Sequence, residues 1–247
     1  MKPLLLLILL CASLPLFAKT KQPLLFIVNY PGSPPYLYFD EKTNAFEGVI
    51  PDLLKELIES KQLSIKYISN SRKRSEEYMY QGTADLLMLS KNWLKNPYKL
   101  ISTIAFHQHR SFLYKAKPFP DEFSLDNAIQ GETVCTKKGY SYPNLAPYFK
   151  SKRLVRVDSS SHLSMLRLLF KDRCDYTVMN EFNALNLINS KFFTDKKTYR
   201  STKPVSTVPL NIILRAEFTE EKELLDKHIA TLLKNNEIQR LVDKHTY

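Results

Sequence analysis

Few residues in this 247-residue chain combine type and spacing in a way that could do chemistry. His107 and His109 stand two apart, so on a strand both imidazoles face one side. Two such rings can begin a metal site, but no third ligand stands near them, and no metal is expected. Glu181 is the carboxylate to test for acid–base work. Asp52 and Asp85 look catalytic by type, yet Asp52 falls at a helix start and Asp85 beside a strand, where an acid has structural work. Cys135 and Cys174 match no zinc spacing and read as structural; their positions alone do not show that they are close enough to bridge. The five glycines, Gly32, Gly48, Gly82, Gly131 and Gly139, form neither a dinucleotide loop nor a phosphate loop, and a GxSxG elbow is absent. No catalytic residue and no cofactor is expected.

The N-terminal stretch MKPLLLLILLCASLPLFA has a basic Lys2, an apolar run and a small residue at Ala18. That is the layout of a secretory signal peptide over residues 1–18, too short to span a bilayer at about 20 residues. Leu10 before Cys11 is not the small residue a lipoprotein signal needs. The expected compartment is the periplasm, where two remaining cysteines are free to form one disulfide. Loss of Lys2 takes the formal charge from +11 to +10. In an exported protein nucleic acid is not the expected partner; an anionic ligand, an anionic membrane surface or a solvated surface remain, and the scattered lysines favour the last. With 44% apolar and 25% charged residues, the composition is that of a globular protein with a core.

The elements that must position these residues alternate. Apolar strands are read at 24–28, 63–68, 84–89, 112–114, 133–136, 155–157, 175–179 and 210–214. Between them lie a small turn region around 36–48, a helix opened by Pro51 and Asp52, and a helix capped by Ser75 that stops at Gly82. A third helix is capped at 159–161, another carries Phe182, Leu185 and Ile188, and a long one starts at Thr219. Alternation of this kind predicts an α/β fold with mostly parallel sheets.

Several stretches, in this order, resemble the family 3 extracellular solute-binding proteins, the amino-acid-binding class. They are PPYLYFD at 34–40, GVIPDLL at 48–54, GTADL at 82–86, GETVCTKKGYS at 131–141 and FKDRCDYTVMNE at 170–181. The resemblance implies a two-lobed, type II periplasmic-binding-protein-like fold with two hinge strands and a cleft between the lobes. One lobe would comprise residues 19–106 and 208–247, the other 107–207, with crossings near 105–109 and 206–209. By position, the cleft residues would be Tyr30, Ser33, Tyr36, Ser90, Asn92 and Trp93 from the first lobe, and Lys137, Tyr140, Ser141, Asn180 and Glu181 from the second. The family's carboxylate-gripping arginine falls here on Pro97, and its ammonium-holding aspartate on Asn180, with Glu181 next to it. The implied function is capture of a small polar organic ligand, not an ordinary α-amino acid, for transport or sensing. The partners would be that ligand and an ABC permease or membrane sensor, with the protein itself a monomer. Alternatives are a cyclohexadienyl-dehydratase-like enzyme using Glu181, and a scaffold without a ligand.

Overall fold

The computed structural model describes residues 22–30, 32–128 and 130–246; the expected leader at 1–18 lies outside the described residues. In chain order the elements are β1 (Leu24–Asn29), β2 (Gly32–Ser33), β3 (Leu37–Asp40), β4 (Ala45–Glu47), α1 (Val49–Glu59), β5 (Ile65–Asn70), α2 (Arg72–Gln81), β6 (Leu86–Leu89), β7 (Leu100–Ser102) and β8 (His107–Lys115). They continue as β9 (Glu132–Lys137), α3 (Ala146–Lys150), β10 (Leu154–Ser159), α4 (His162–Leu169), β11 (Tyr176–Asn180), α5 (Glu181–Ile188), β12 (Tyr199–Arg200), β13 (Ser206–Arg215), α6 (Thr219–Lys234) and α7 (Glu237–Lys244).

The main sheet runs β10-β9-β11-β8-β13-β6-β1-β5. It contains two parallel blocks. In one, β1 pairs β5 and β6; in the other, β9 pairs β10 and β11. Every residue of β6 (LLML) is buried, as expected of a parallel strand covered on both faces.

Two long antiparallel strands join the blocks. The first half of β8 pairs the first half of β13, from Leu210↔His107 to Ser206↔Ser111. Each strand then changes partner: β13 continues against β6 through residues 211–214, and β8 against β11 through residues 111–114. Of the crossings expected at 105–109 and 206–209, residues 107–109 and 206–209 lie on this shared stretch. Both strands are longer than their apolar runs, and their orientation makes the sheet mixed rather than mostly parallel.

Packing follows the apolar faces. Leu53, Leu54, Leu225, Ile229, Ile238 and Val242 of α1, α6 and α7 cover Phe26, Val28 and Ile212 on one face of the first block. Met79 of α2 covers Ile27, Leu87 and Ile213 on the other. In the second block, Met165, Leu166 and Leu169 of α4 pack on Phe112 and Met179, and Leu145 lies against Val134, Leu154 and Val178. Each such buried side chain contributes roughly 1.5–3 kcal/mol. Cys135 of β9 and Cys174, just before β11, form a disulfide with Cα atoms 5.8 Å apart.

Local details differ from expectation in two places that matter for the site. Helix α2 starts at Arg72, one turn earlier than Ser75; Ser75 sits inside the helix, fully buried, and its Oγ donates to the Ser71 carbonyl at 3.0 Å. The helix still ends on Gly82 in the left-handed conformation. The turn region at 36–48 is a small antiparallel sheet, β2-β3-β4. It folds back over Tyr36 because Gly48 has φ 122°, and any Cβ there would lie 2.6 Å from the Tyr36 carbonyl oxygen. Among the described residues no helix is long and apolar enough to cross a membrane.

Candidate functional site

A cavity of about 490 Å³ lies where the two blocks meet. Its walls come from segments that follow the C-terminal ends of parallel strands, the usual place for a ligand in an open α/β sheet. The first block supplies Asn29, Ser33, Tyr36, Arg72, Asn92 and Trp93; the second supplies Tyr140, Ser141, His162, Asn180 and Asn183. His109 and Ser111 of β8, with Ser206 and Leu210 of β13, line it from the crossing strands.

Tyr36 is fully buried, with its ring edge-on to Phe106 at 6.2 Å and to Phe182 at 5.7 Å. Its Oη lies 3.1 Å from His107 Nδ1. Burial raises its phenol far above 10, with Glu181 adding to the effect, so the group stays neutral. His107 and His109 do face one side, as their spacing predicts, with ring centroids 5.5 and 6.4 Å from that of Tyr36. His109 also meets the Trp93 ring edge-on at 5.1 Å. Burial pushes His109 down to about 4, with repulsion from His107 adding to it. Burial likewise pushes His162 down to about 3, ahead of repulsion from Lys137 and His109. Both rings line the cavity and are neutral at pH 7. Among the described residues no group of three His, Cys, Asp or Glu is placed to hold a metal ion.

Asn180 closes β11 and caps α5. Its Oδ1 accepts from the backbone N–H of Phe182 at 3.0 Å and of Asn183 at 3.4 Å, and its Nδ2 donates to the Arg110 carbonyl at 3.0 Å. On the opposite wall Glu76 accepts from Arg72 Nη1 at 2.8 Å, Tyr80 Oη at 2.7 Å and the Lys95 backbone N–H at 2.6 Å. Burial raises its carboxyl, but these hydrogen bonds outweigh it and hold the group below its ordinary range.

Of the residues expected in the cleft, Ser33, Tyr36, Asn92, Trp93, Tyr140, Ser141 and Asn180 line this cavity. Four do not. Tyr30 is 71% exposed and points to solvent. Ser90 is fully buried, its Oγ accepting from Asn92 N–H at 3.3 Å to cap the 3-10 turn Lys91–Trp93. Lys137 Nζ lies 4.5 Å over the Tyr140 ring and donates to its Oη at 3.1 Å. Glu181 is held by Arg110 through two bonds, 2.8 and 2.9 Å. Pro97 opens an exposed 3-10 turn away from the cavity. Asp52 and Asp85 are tied into the framework: Asp52 binds Lys244 and His245, and Asp85 takes the Leu25 N–H and pairs with Arg215.

Residue-by-residue reading missed Arg72, His162, Asn183 and the inward role of His109. Arg72 was hidden by the late helix start. His162 carried a usable signal, since it follows the cap residue Ser161 at the end of the loop after β10.

No family model matches this chain, and no curated protein does. Solved structures do. A histidine kinase sensor domain with similarity to periplasmic binding proteins is 16% identical, with a TM-score of 0.73, over 92% of this chain and 96% of its own. A putative binding component of an ABC transporter from Wolinella succinogenes, complexed with lysine, is 13% identical, with a TM-score of 0.73, over 91% and 95%. The GluR0 ligand-binding core, in complex with L-glutamate, is 12% identical, with a TM-score of 0.72, over 92% and 99%. At this identity the likeness carries the fold. Together with the exchange of partners by β8 and β13, it shows that the chain has the two-lobed fold of periplasmic solute-binding proteins.

Proposed function

We propose that this protein captures a small polar organic ligand in the interlobe cleft and reports or delivers it to a membrane partner, an ABC permease or a sensor. The observation that carries the reading is the cavity at the shared stretch of β8 and β13, walled by both blocks and lined by stacking faces and polar tips. The lobes would be residues 19–106 with 208–247, and 107–207, moving about that stretch as hinge-type binding proteins do. The solved relatives are binding proteins and a sensor domain, which favours binding over turnover. The dehydratase alternative draws no support from Glu181, which is engaged with Arg110 outside the cavity wall. The disulfide and the expected leader favour an exported, periplasmic protein.

An ordinary α-amino acid is not the expected ligand. Pro97 stands away from the cavity, and the Asn180 amide is fully engaged within the protein. The test is a thermal-shift screen of the purified protein against amino acids, polyamines, organic acids and aromatic acids. A ligand at a hundred times its dissociation constant adds about 2.7 kcal/mol, or roughly 5–10 °C in Tm at this size. Such a shift, lost in Trp93→Ala, is the expected outcome. A flat response across all classes would refute cleft binding.

A further inference from the structure

The charges around the cleft narrow the ligand class beyond the binding reading on which this inference rests. We propose that the cleft takes a carboxylic acid that carries no ammonium group, with Arg72 holding the carboxylate and an apolar or aromatic body lying across the cleft.

The first wall is cationic. Arg72 and Lys73 of α2 and Lys95 stand at the cavity, opposed by one carboxylate, Glu76. Glu76 is already engaged by three donors, and only 5% of its side chain is exposed. It therefore has no place for a ligand cation. Arg72 is different. It gives one N–H to Glu76 at 2.8 Å and one to the Trp93 carbonyl at 3.2 Å, out of the five a guanidinium owns. These two bonds hold the planar group in place, and its remaining donors suit a carboxylate. Its side chain is 21% exposed, at the cavity wall.

The second wall carries no negative charge to hold an ammonium. Among the described residues no acid of the second block lines the cavity; Glu181 uses both oxygens on Arg110, and Asp158 pairs with Arg156 and accepts from Thr136. The Asn180 oxygen already accepts two backbone N–H groups. His109 of β8 and His162 line the cavity as neutral imidazoles, and the positive charge of Lys137 disfavours protonation of His162. An amino acid placed with its carboxylate on Arg72 would bury its ammonium among cations and neutral groups, which is costly. An acid without the amine meets no such cost, and Leu37, Met88, Val178 and Leu210 offer it apolar surface beside Trp93.

The experiment measures binding by calorimetry and thermal shift at pH 7. It uses a panel of aliphatic, aromatic, keto and hydroxy carboxylic acids, each matched to its α-amino acid and to the amine lacking the carboxylate. The expected result is that at least one acid binds about tenfold or more tightly than its amino acid, and that its amine does not bind. Arg72→Gln weakens that acid by about thirtyfold or more, and Lys73→Gln, at an exposed position, by about threefold. Circular dichroism shows whether Arg72→Gln is folded; if it is not, the matched panel and Lys73→Gln decide. Amino acids or amines binding as tightly as the acids would overturn the anion assignment and leave cleft binding intact. Acid binding unchanged in folded Arg72→Gln would overturn the role of Arg72. Binding by no compound of any class would overturn both the assignment and the cleft reading beneath it.

Discussion

The two walls of the cleft are built the same way and finished differently. Each is a set of loops and helix starts at the C-terminal ends of parallel strands. The first wall is charged, and Arg72 and Glu76 are held in a network that ties α2 to the segment after β6. The second wall is neutral, with His162 and the Asn180 amide, and its block carries a disulfide between β9 and the segment before β11. One wall thus keeps its shape through the Arg72–Glu76 pair and its hydrogen bonds, and on the proposal above it would favour an anion. The other keeps its shape through a covalent staple and a helix cap, and imposes no charge. Such a division lets one side choose the ligand's charge while the other meets its body.

The largest test of this contrast is the staple. A disulfide closing a segment of 39 residues contributes about 4 kcal/mol in the chain-entropy account. Cys135→Ala with Cys174→Ala should lower Tm by about 10 °C in scanning calorimetry. A loss below about 2 °C would show that packing of α4 alone holds the second wall. The matching test on the first wall is Glu76→Gln. It leaves Arg72 without its carboxylate and weakens three hydrogen bonds, so urea titration should show a loss of about 2–3 kcal/mol. A neutral outcome would mean that Glu76 does not organise that wall.

Acid should separate the walls. An unfolded histidine takes its proton near 6.5, whereas folded His109 and His162 do so only at about 4 and about 3. Between those values the unfolded chain binds more protons, so stability falls as pH is lowered from about 6.5. Carboxylates such as Glu76, with lowered values, contribute only at more acid pH. The window from pH 6.5 to 4.5 therefore reports His162 of the second wall and His109 of the crossing strand. A loss on the order of 2 kcal/mol from each ring is expected there, about 4 kcal/mol together, mostly removed in His109→Gln/His162→Gln. A wild-type stability flat across this window would contradict the buried, neutral state of these rings. The smallest effect belongs to Arg110→Ala. Arg110 is half exposed, so breaking its pair with Glu181 should cost less than about 1 kcal/mol. Ligand affinity should not change; a marked change would bring Glu181 back into the site.

Much of the framework was legible in order and type. The buried strands β1, β6, β9 and β11 announce themselves as short apolar runs, and Ser161 and Gly82 mark helix ends by their own chemistry. The extents of β8 and β13 were not legible. Their shared stretch reads HQHRS and STVPL, polar or proline-bearing, and it is strand only because each supplies the other's hydrogen bonds. Of the site, the aromatic and amide members were legible by position. Arg72 was not, because Ser71 and Ser75 are equally good cap residues one turn apart. The weak apolar stripe of α2 does not choose between them.

By itself the sequence determined the alternating α/β pattern and the cysteine pair available for a bridge. These depend on residue type and near neighbours. The tertiary structure decided that Cys135 meets Cys174, that Arg72 faces the cleft, that Glu181 is taken by Arg110, and that His109 and His162 are neutral. Each of these depends on which groups, distant along the chain, share a desolvated space, and local periodicity carries no record of that.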